Sequence, residues 1–254
     1  MSTGRAPGRS HAGPHPMGHE GAPARGPAGH EGAPLVPPGS VDVPIDRGAP
    51  MTAWARSRRL ALREFGPEDH EALVRMHREP RLRAHLVDDY PLHDGEVVRV
   101  FLARIAQVYR RHEGLGIWHA SVLGPQPEFA GWFNLMPMAE RPGEVEIGSR
   151  LLPQFWGGGL AVEGGELLLD HAFDRLGLGR VWGVCHPANR AAQAVLGVLG
   201  FEPLGVMAYD GGPACHYRVA ASDWPALRAQ PRGARLRRAL RRAAPAQPIE
   251  EPTT

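Results

Sequence analysis

The stretch Gly143–Ala161 reads GEVEIGSRLLPQFWGGGLA, and it decides how we interpret the rest of the chain. Its first half alternates charged and aliphatic residues, which predicts a strand that ends near Pro153. Three glycines, Gly157–Gly159, follow as a turn that opens a helix. Glycines let a backbone approach a ligand closely, and the free N–H groups at the start of a helix attract phosphate groups. The stretch therefore predicts an anion-binding turn between a strand and a helix.

Two well-known glycine motifs do not fit this turn. A Walker-type loop needs a lysine followed by serine or threonine at the helix start, and the chain contains no lysine. The dinucleotide fingerprint needs Gly-x-Gly-x-x-Gly, and Val162 stands where the third glycine would fall. The six-residue pattern alone leaves two interpretations, an ordinary surface turn or a phosphate site of another kind.

Further residues favour the second interpretation. The spacing Gln154-x-x-Gly157-x-Gly159 resembles the acyl-coenzyme A signature of the GNAT superfamily of N-acetyltransferases. The longer run FWGGGLAVEG is similar to the motif of the branch that acetylates the N-termini of ribosomal proteins. Later in the chain, Asn189 opens a predicted helix that ends at Gly200, and this segment resembles a second one of the family. The resemblance covers residues 57–224.

This resemblance implies a mixed α/β (α+β) fold, with a mostly antiparallel sheet splayed at its central strands and helices on both faces. It implies acetyl-CoA as the co-substrate and no metal. Backbone groups at the end of the central strand would pair with the pantetheine amides, and the glycine turn would bind the diphosphate. The residues predicted to bind the coenzyme are Leu151, Leu152, Gln154, Phe155, Trp156, Gly157, Gly158, Gly159, Leu160, Ala161 and Asn189.

Two carboxylates, Glu144 and Glu146, lie on one face of the strand that leads into the turn. A half-buried carboxylate beside an amine can accept a proton directly or through a water. We therefore predict Glu146 as the first candidate for the catalytic base and Glu144 as the second. The alternative is that both face solvent or pair with Arg150, as is ordinary for charged residues on an edge strand.

The chain departs from the family at the proton donor. Family members commonly place a serine or a tyrosine after the asparagine to protonate or stabilise the departing thiolate. Ala192 and Leu196 occupy the matching positions here, and neither side chain can donate a proton. Tyr209 is our catalytic candidate to replace them, with Tyr217, His186 or a water as alternatives.

Composition divides the chain into three parts. Residues 1–55 form a Pro/Gly/His-rich arm that is predicted to be disordered, because it has few large apolar residues to bury. Residues 56–226 would form the acetyltransferase domain. Residues 227–254 are predicted to be a basic, Pro/Ala-rich disordered tail. The tail contains a short candidate helix, RGARLRRALRR, for which solvation is favoured over contact with RNA or an acidic membrane.

The predicted function is transfer of an acetyl group from acetyl-CoA to a primary amine, of a protein N-terminus or of a small molecule. Asp88, Asp89 and Tyr90 form a predicted turn that either lines the amine pocket or faces solvent. A non-catalytic acyl-CoA-binding or regulatory module is the alternative from another class. The expected partners are acetyl-CoA and the acceptor, with no membrane, no nucleic acid, and a monomeric or homodimeric state.

Composition also bears on the compartment. The formal net charge is only +2, so it indicates no strongly charged partner. The two cysteines show neither metal spacing nor a disulfide framework, which is typical of a reducing cytosol. Because the sequence also lacks an apolar run of signal-peptide or membrane length, we expect a soluble cytoplasmic protein.

Overall fold

The computed structural model describes residues 53–86, 91–209 and 212–242. Most of the predicted N-terminal arm and the turn at Asp88, Asp89 and Tyr90 lie outside these residues. Within them, eight strands form one sheet in the order β1-β2-β3-β4-β5-β6-β8-β7. The strands are Ala55–Arg56 (β1), Leu60–Glu64 (β2), Gly116–Val122 (β3), Glu128–Pro137 (β4), Val145–Leu151 (β5), Arg180–Cys185 (β6), Glu202–Tyr209 (β7) and Gly212–Ala220 (β8).

Helices connect these strands, and the fourth of them begins directly after the glycine turn. A π-helical turn, His171–Arg175, continues that fourth helix toward β6. The helices are His70–His77 (α1), Pro80–Arg83 (α2), Gly95–Arg111 (α3), Leu160–Asp170 (α4), Arg190–Leu199 (α5), Trp224–Arg228 (α6) and Arg232–Arg242 (α7).

The longest helix, α3, shows how the sequence sets both the boundary and the buried face of an element. Its N-cap is Asp94, whose carboxylate accepts hydrogen bonds from the backbone N–H of Glu96 at 2.7 Å and of Val97 at 3.4 Å. Apolar residues recur at helical spacing and form a single stripe that faces the sheet. The buried residues of this stripe are Val98, Phe101, Leu102, Ile105 and Val108.

The sheet opens between β5 and β6, which form the parallel pair in the described part of the chain. Their Cα partners are Glu146 with Trp182 and Ile147 with Gly183. Beyond these two pairs the strands separate, although β5 continues to Leu151. All other neighbouring strands pair antiparallel. The predicted mixed fold, with a mostly antiparallel sheet splayed at its centre, is therefore confirmed.

Helices pack on both faces of the sheet, as predicted, and each face has its own core. On one face, α4 and α5 bury a cluster that includes Phe133 and Leu168. On the other face, α1 and α3 bury a cluster around Trp132 and Phe101. Side chains alternate along β5, so Ile147 belongs to the first cluster. Glu146 therefore points to the face that carries α1 and α3.

The C-terminal segment differs from the solvated tail that composition favoured. Helix α7 packs against α5, where a Cβ added to Gly197 would lie only 2.8 Å from the Cβ of Ala239. Arg235 is 1 % exposed, and its guanidinium binds the buried carboxylate of Glu166 on α4. Composition alone predicts that Arg235 is a solvated charge. In the structure, the carboxylate of Glu166 on α4 acts as its counter-ion and stabilises it inside the protein. Residues 243–254 lie outside the described part.

Three further features of the described residues concern the thiols, metal ligands and membrane spans. Cys185 and Cys215 are free thiols that face each other across β6 and β8. Among the described residues, none of the clusters of His, Cys, Asp and Glu reaches the three ligands that a metal site would need. The same residues include no helix with the length and apolar character that crossing a bilayer requires.

Candidate active site

The glycine turn presents backbone N–H groups to solvent. Gly157 and Gly159 have φ angles of 77° and 75°, in the left-handed region that favours glycine, and Gly159 is the N-cap of α4. The first bond of the helix runs from the N–H of Glu163 to the carbonyl of Gly159 at 3.0 Å. The N–H groups of residues 160–162 thus have no partner within the helix, and they point toward its N-terminal end. This geometry suits a diphosphate.

The predicted pantetheine contacts at the end of β5 differ from each other. Leu152 donates its N–H to the carbonyl of Ala130 at 2.8 Å, and its own carbonyl accepts from the N–H of Phe155 at 2.9 Å. The carbonyl of Leu151 accepts from the indole N–H of Trp156 at 2.6 Å. Because both main-chain groups of Leu152 bond within the chain, Leu151 is the better candidate. Its carbonyl partner belongs to a tryptophan side chain that is 46 % exposed.

Asn189 caps α5, as the sequence predicted for the start of that helix. Its side-chain oxygen accepts a hydrogen bond from the backbone N–H of Ala192 at 3.0 Å. Leu196, one turn further along, is buried, and a Cβ added to Gly183 on β6 would lie 2.6 Å from its methyl group. Ala192 and Leu196, which occupy the family's two proton-donor positions, therefore offer no polar side chain at this end of β6.

The structure brings together Glu146 and Tyr209, two of the three predicted catalytic residues. The Tyr209 hydroxyl lies 3.1 Å from each carboxylate oxygen of Glu146 and donates to the carboxylate. Glu146 lies opposite Trp182. The next pair, Ile147 with Gly183, is the last one before β5 and β6 separate. A carboxylate and a phenol therefore meet at the point where the sheet opens, on the face covered by α1 and α3.

The third predicted catalytic residue, Glu144, is engaged elsewhere. The guanidinium of Arg180 binds both of its oxygens, with its Nε at 2.9 Å from each, and the indole N–H of Trp182 donates at 2.7 Å. The hydrogen bonds from Arg180 hold the pKa of Glu144 below its usual value. A carboxylate with a depressed pKa and these partners is a weak base, so Glu144 stabilises the β5–β6 edge instead.

The alternative partner considered for the glutamates, Arg150, contacts aromatic rings. Its guanidinium lies 4.9 Å from the ring centre of Trp132 and 3.3 Å from Nε2 of His77. His77 Nδ1 lies 2.9 Å from the carbonyl of Leu73, which requires the proton on Nδ1 and leaves Nε2 to accept from Arg150. The three side chains form one layer of the wall on the same face as Glu146.

The two other proton-donor candidates have surroundings that suit the role less well than those of Tyr209. Tyr217 is buried in the core beneath α5, and burial raises the pKa of its phenol. Its ring belongs to the face opposite Glu146. His186 follows β6, where its Nδ1 accepts from the backbone N–H of Ala188 at 3.1 Å and its ring lies 6.0 Å from that of His85.

One residue of the site was missed by sequence reasoning. Arg59 precedes β2, yet its guanidinium lies against the glycine turn and donates to the carbonyl of Gly158 at 2.9 Å. The two residues are far apart in the sequence, so no local pattern connects them. The only available signal was Glu163 in the glycine motif, a carboxylate on a buried helix face that needs a counter-ion.

A strand pair that separates beside a glycine turn at a helix start suits a ligand that carries a diphosphate on an extended arm, as acyl-coenzyme A thioesters do. Comparison with known sequences agrees with this class: the family model described as "Acetyltransferase (GNAT) domain" matches residues 59–202, more than half of the chain. The chain therefore belongs to the GNAT family of acetyltransferases, and it is an acetyl-CoA-dependent N-acetyltransferase.

The chain is also similar to individual proteins and solved structures. The chain is 30% identical over 181 residues to the FsC-acetyl coenzyme A-N(2)-transacetylase of Aspergillus fumigatus, covering 65% of this chain and 75% of that protein. It is similar to the crystal structure of an acetyltransferase from T. thermophilus, with a TM-score of 0.56, 26% identity, and 72% and 94% of the two chains covered. Mycobacterium smegmatis RimJ in complex with CoA-disulfide shares the fold, with a TM-score of 0.57, 21% identity, and 72% and 90% covered.

Proposed function

We propose that this chain transfers the acetyl group of acetyl-CoA to a primary amine by direct attack, with Glu146 as the base. The observation that carries the proposal is the hydrogen bonding of the Tyr209 hydroxyl to Glu146, at 3.1 Å from both oxygens, where β5 and β6 separate. The thioester of a coenzyme lying in that opening would meet the carboxylate on the face covered by α1 and α3. The base and a proton donor are then adjacent.

The chemistry follows from this pair. Glu146 takes a proton from the ammonium group of the acceptor, directly or through a water, and the free amine attacks the thioester carbon. The C–N bond forms, the C–S bond breaks, and the amide nitrogen releases its second proton to the medium. The departing thiolate takes the proton of the Tyr209 hydroxyl. Tyr209 recovers a proton from the carboxylic acid of Glu146 through their hydrogen bond, which restores both groups.

The coenzyme site combines the groups described above. The backbone N–H groups of the glycine turn and of the start of α4, from Gly157 to Ala161, bind the diphosphate, with the helix dipole of α4 adding to the attraction. Leu151 offers its main chain to the pantetheine arm, and Asn189 at the start of α5 offers its side-chain NH₂, since its oxygen caps the helix. The coenzyme is a substrate in this scheme, and the residues named here hold and orient it.

Two acceptor classes fit the proposal. The glycine motif resembles that of enzymes that acetylate protein N-termini, and the fold is shared with RimJ. The relative from Aspergillus fumigatus is named FsC-acetyl coenzyme A-N(2)-transacetylase, and the N(2) in this name indicates that the acetyl group goes to a nitrogen atom. A panel of short peptides and small primary amines covers both classes.

The test is steady-state turnover of acetyl-CoA with that panel, for the unmodified protein and three variants. We expect Glu146→Gln to lower kcat by about 100-fold, in the range that loss of a general base produces, and Tyr209→Phe by about tenfold. Glu144→Gln is the matched control on the same strand face, with kcat within about threefold. Equal losses in Glu144→Gln and Glu146→Gln would remove the case for Glu146. Tight acetyl-CoA binding without turnover of any amine would instead support the non-catalytic module.

A further inference from the structure

Arg59 lies against the glycine turn and contacts two of its three glycines. Apart from the neighbouring residues of the chain, a Cβ added to Gly158 or to Gly159 would meet, within 4 Å, only the terminal nitrogens of Arg59, each at 3.9 Å. At Gly157 nothing in the described structure lies within that distance. Three consecutive glycines have the largest backbone entropy of any tripeptide, so this turn depends on outside contacts for a fixed shape.

The guanidinium contacts the turn and the helix that follows it. Nη1 donates to the carbonyl of Gly158 at 2.9 Å, while Nε and Nη2 bind one oxygen of Glu163 at 2.8 and 2.7 Å. Glu163 is 5 % exposed, and its other oxygen accepts from the Ser57 hydroxyl at 2.6 Å and from the backbone N–H of Arg59 at 3.0 Å. A buried carboxylate thus holds the Arg59 guanidinium in place, and the hydrogen bond from this guanidinium restrains the carbonyl of Gly158.

The contact to Gly158 determines where the next N–H points. In a trans peptide the C=O and the N–H lie on opposite sides of the plane. Because the carbonyl of Gly158 points at Arg59, the N–H of Gly159 points away from Arg59. Successive N–H groups turned to one side form a concavity that binds anions. Arg59 therefore fixes the orientation of an amide that the diphosphate would use.

We propose that Arg59, held by Glu163, is a positioning residue for the diphosphate of acetyl-CoA. It acts through the peptide between Gly158 and Gly159 and leaves the acetyl-transfer step itself unaffected. This inference rests on the proposed function, because it assumes that the turn binds the coenzyme. It adds a residue that the glycine motif does not contain.

The test compares acetyl-CoA with S-acetyl-pantetheine, a thioester that lacks the diphosphate. For Arg59→Gln we expect the KM for acetyl-CoA to rise about tenfold or more, the loss that removal of one charge-assisted hydrogen bond produces. kcat at saturation and kcat/KM for S-acetyl-pantetheine should stay within about twofold of the values for the unmodified protein. A purely structural role for Arg59 would lower kcat/KM for both thioesters equally, and that result would overturn the proposal.

Two further variants keep the outcome decisive. Arg63→Gln is the matched control, because Arg63 on β2 also binds a buried carboxylate, that of Asp69 with Nη1 at 2.7 Å, but lies away from the turn. It should leave the KM for acetyl-CoA unchanged. Arg59→Lys keeps the charge if Arg59→Gln does not fold, and it should still raise that KM, because one ammonium cannot reproduce the planar fork. An unchanged KM in Arg59→Lys refutes the inference. Failure of the unmodified protein to turn over either thioester refutes the proposed function instead.

Discussion

Replacement of Arg235 by methionine tests whether α7 is an integral part of the domain. The Arg235 side chain is 1 % exposed and its partner Glu166 is 2 % exposed. Arg235 binds one oxygen of Glu166 and also donates to the carbonyl of Val198 at 3.2 Å. Arg232 binds the same carboxylate from the preceding turn, with Nε at 3.1 Å. Methionine keeps most of the apolar volume of arginine and removes the charge and the donors.

The expected loss of stability follows from these contacts. Removing one partner of a buried ion pair costs about 3–5 kcal/mol, because the remaining charge stays buried. Arg232 still pairs with Glu166 in the variant, so we place the loss at about 3 kcal/mol. Domains of this size unfold with about 5–15 kcal/mol, so the variant should remain folded at room temperature while losing a substantial part of its stability.

Urea denaturation at neutral pH, followed by circular dichroism, measures this loss as a decrease in the midpoint at constant slope. The double variant Arg235→Met with Glu166→Leu is the control, because it removes both charges and should recover most of the loss. A change of less than about 1 kcal/mol in Arg235→Met would show that α7 does not hold Glu166 as described. The reasoning would also fail if the double variant were less stable than the single one.

The same measurement at lower pH gives an independent check of the ion pair. Burial alone would raise the pKa of Glu166, but hydrogen bonds from Arg232 and Arg235 offset it, so the pKa lies below its usual value. A carboxyl with a depressed pKa stabilises the fold above its unfolded pKa and loses this contribution as pH falls. The difference between the unmodified protein and Arg235→Met should therefore be full at neutral pH and shrink in acid.

Three further predictions concern other parts of the fold. Gly164→Ala should lower the free energy of unfolding by about 1–3 kcal/mol, because the added Cβ would lie 2.2 Å from the ring of Phe133. In the same urea titration, the control Gly179→Ala should change the free energy of unfolding by less than about 0.5 kcal/mol, because nothing lies within 4 Å of its Cβ. Burial lowers the pKa of His119 to about 4, so the unfolded chain binds a proton at a higher pH than the folded protein does. The free energy of unfolding should therefore decrease as the pH falls from 6.5, the pKa of the unfolded state, to about 4. His119→Gln should make the free energy of unfolding, measured against pH, less steep in this range. Gly159→Ala disfavours the left-handed conformation of residue 159 by about 1–2 kcal/mol, so the free turn relaxes away from it and acetyl-CoA binding has to restore it. Calorimetry should therefore show about tenfold weaker acetyl-CoA binding, and equal affinity would contradict the glycine requirement.

The sequence was sufficient to predict the parts of the fold that local patterns determine. The first half of the strand Val145–Leu151, from Val145 to Gly148, alternates buried and half-buried residues, as its sequence indicated, whereas Ser149 is exposed. The turn at Gly157 and Gly159 has the backbone conformation that glycine favours. Small residues at the start of α4 allow close approach to the sheet, since Gly164 lies against Phe133 on β4. In each case the sequence pattern lies within one short segment of the chain.

The candidate site was harder to predict because its contacts join distant segments. Alternation placed Glu144 and Glu146 on one face and could not separate them. Arg180 and Tyr209, which distinguish the two carboxylates, come from β6 and β7. The register of those strands depends on the whole sheet, and no short window of sequence contains it. The contact between Glu146 and Tyr209 therefore depends on how the strands of the folded sheet are arranged.

Helix α4 bears on where the C-terminal end of the domain lies. Glu163 and Glu166 are one turn apart on this helix and both are buried, so each needs a counter-ion. Arg59, from the segment before β2, supplies the first, and Arg235, from α7, supplies the second. Arg235 comes from a stretch in which basic residues are frequent and large apolar residues are few. Because the helix that presents the glycine turn depends on both arginines, we propose that the domain extends through residue 242.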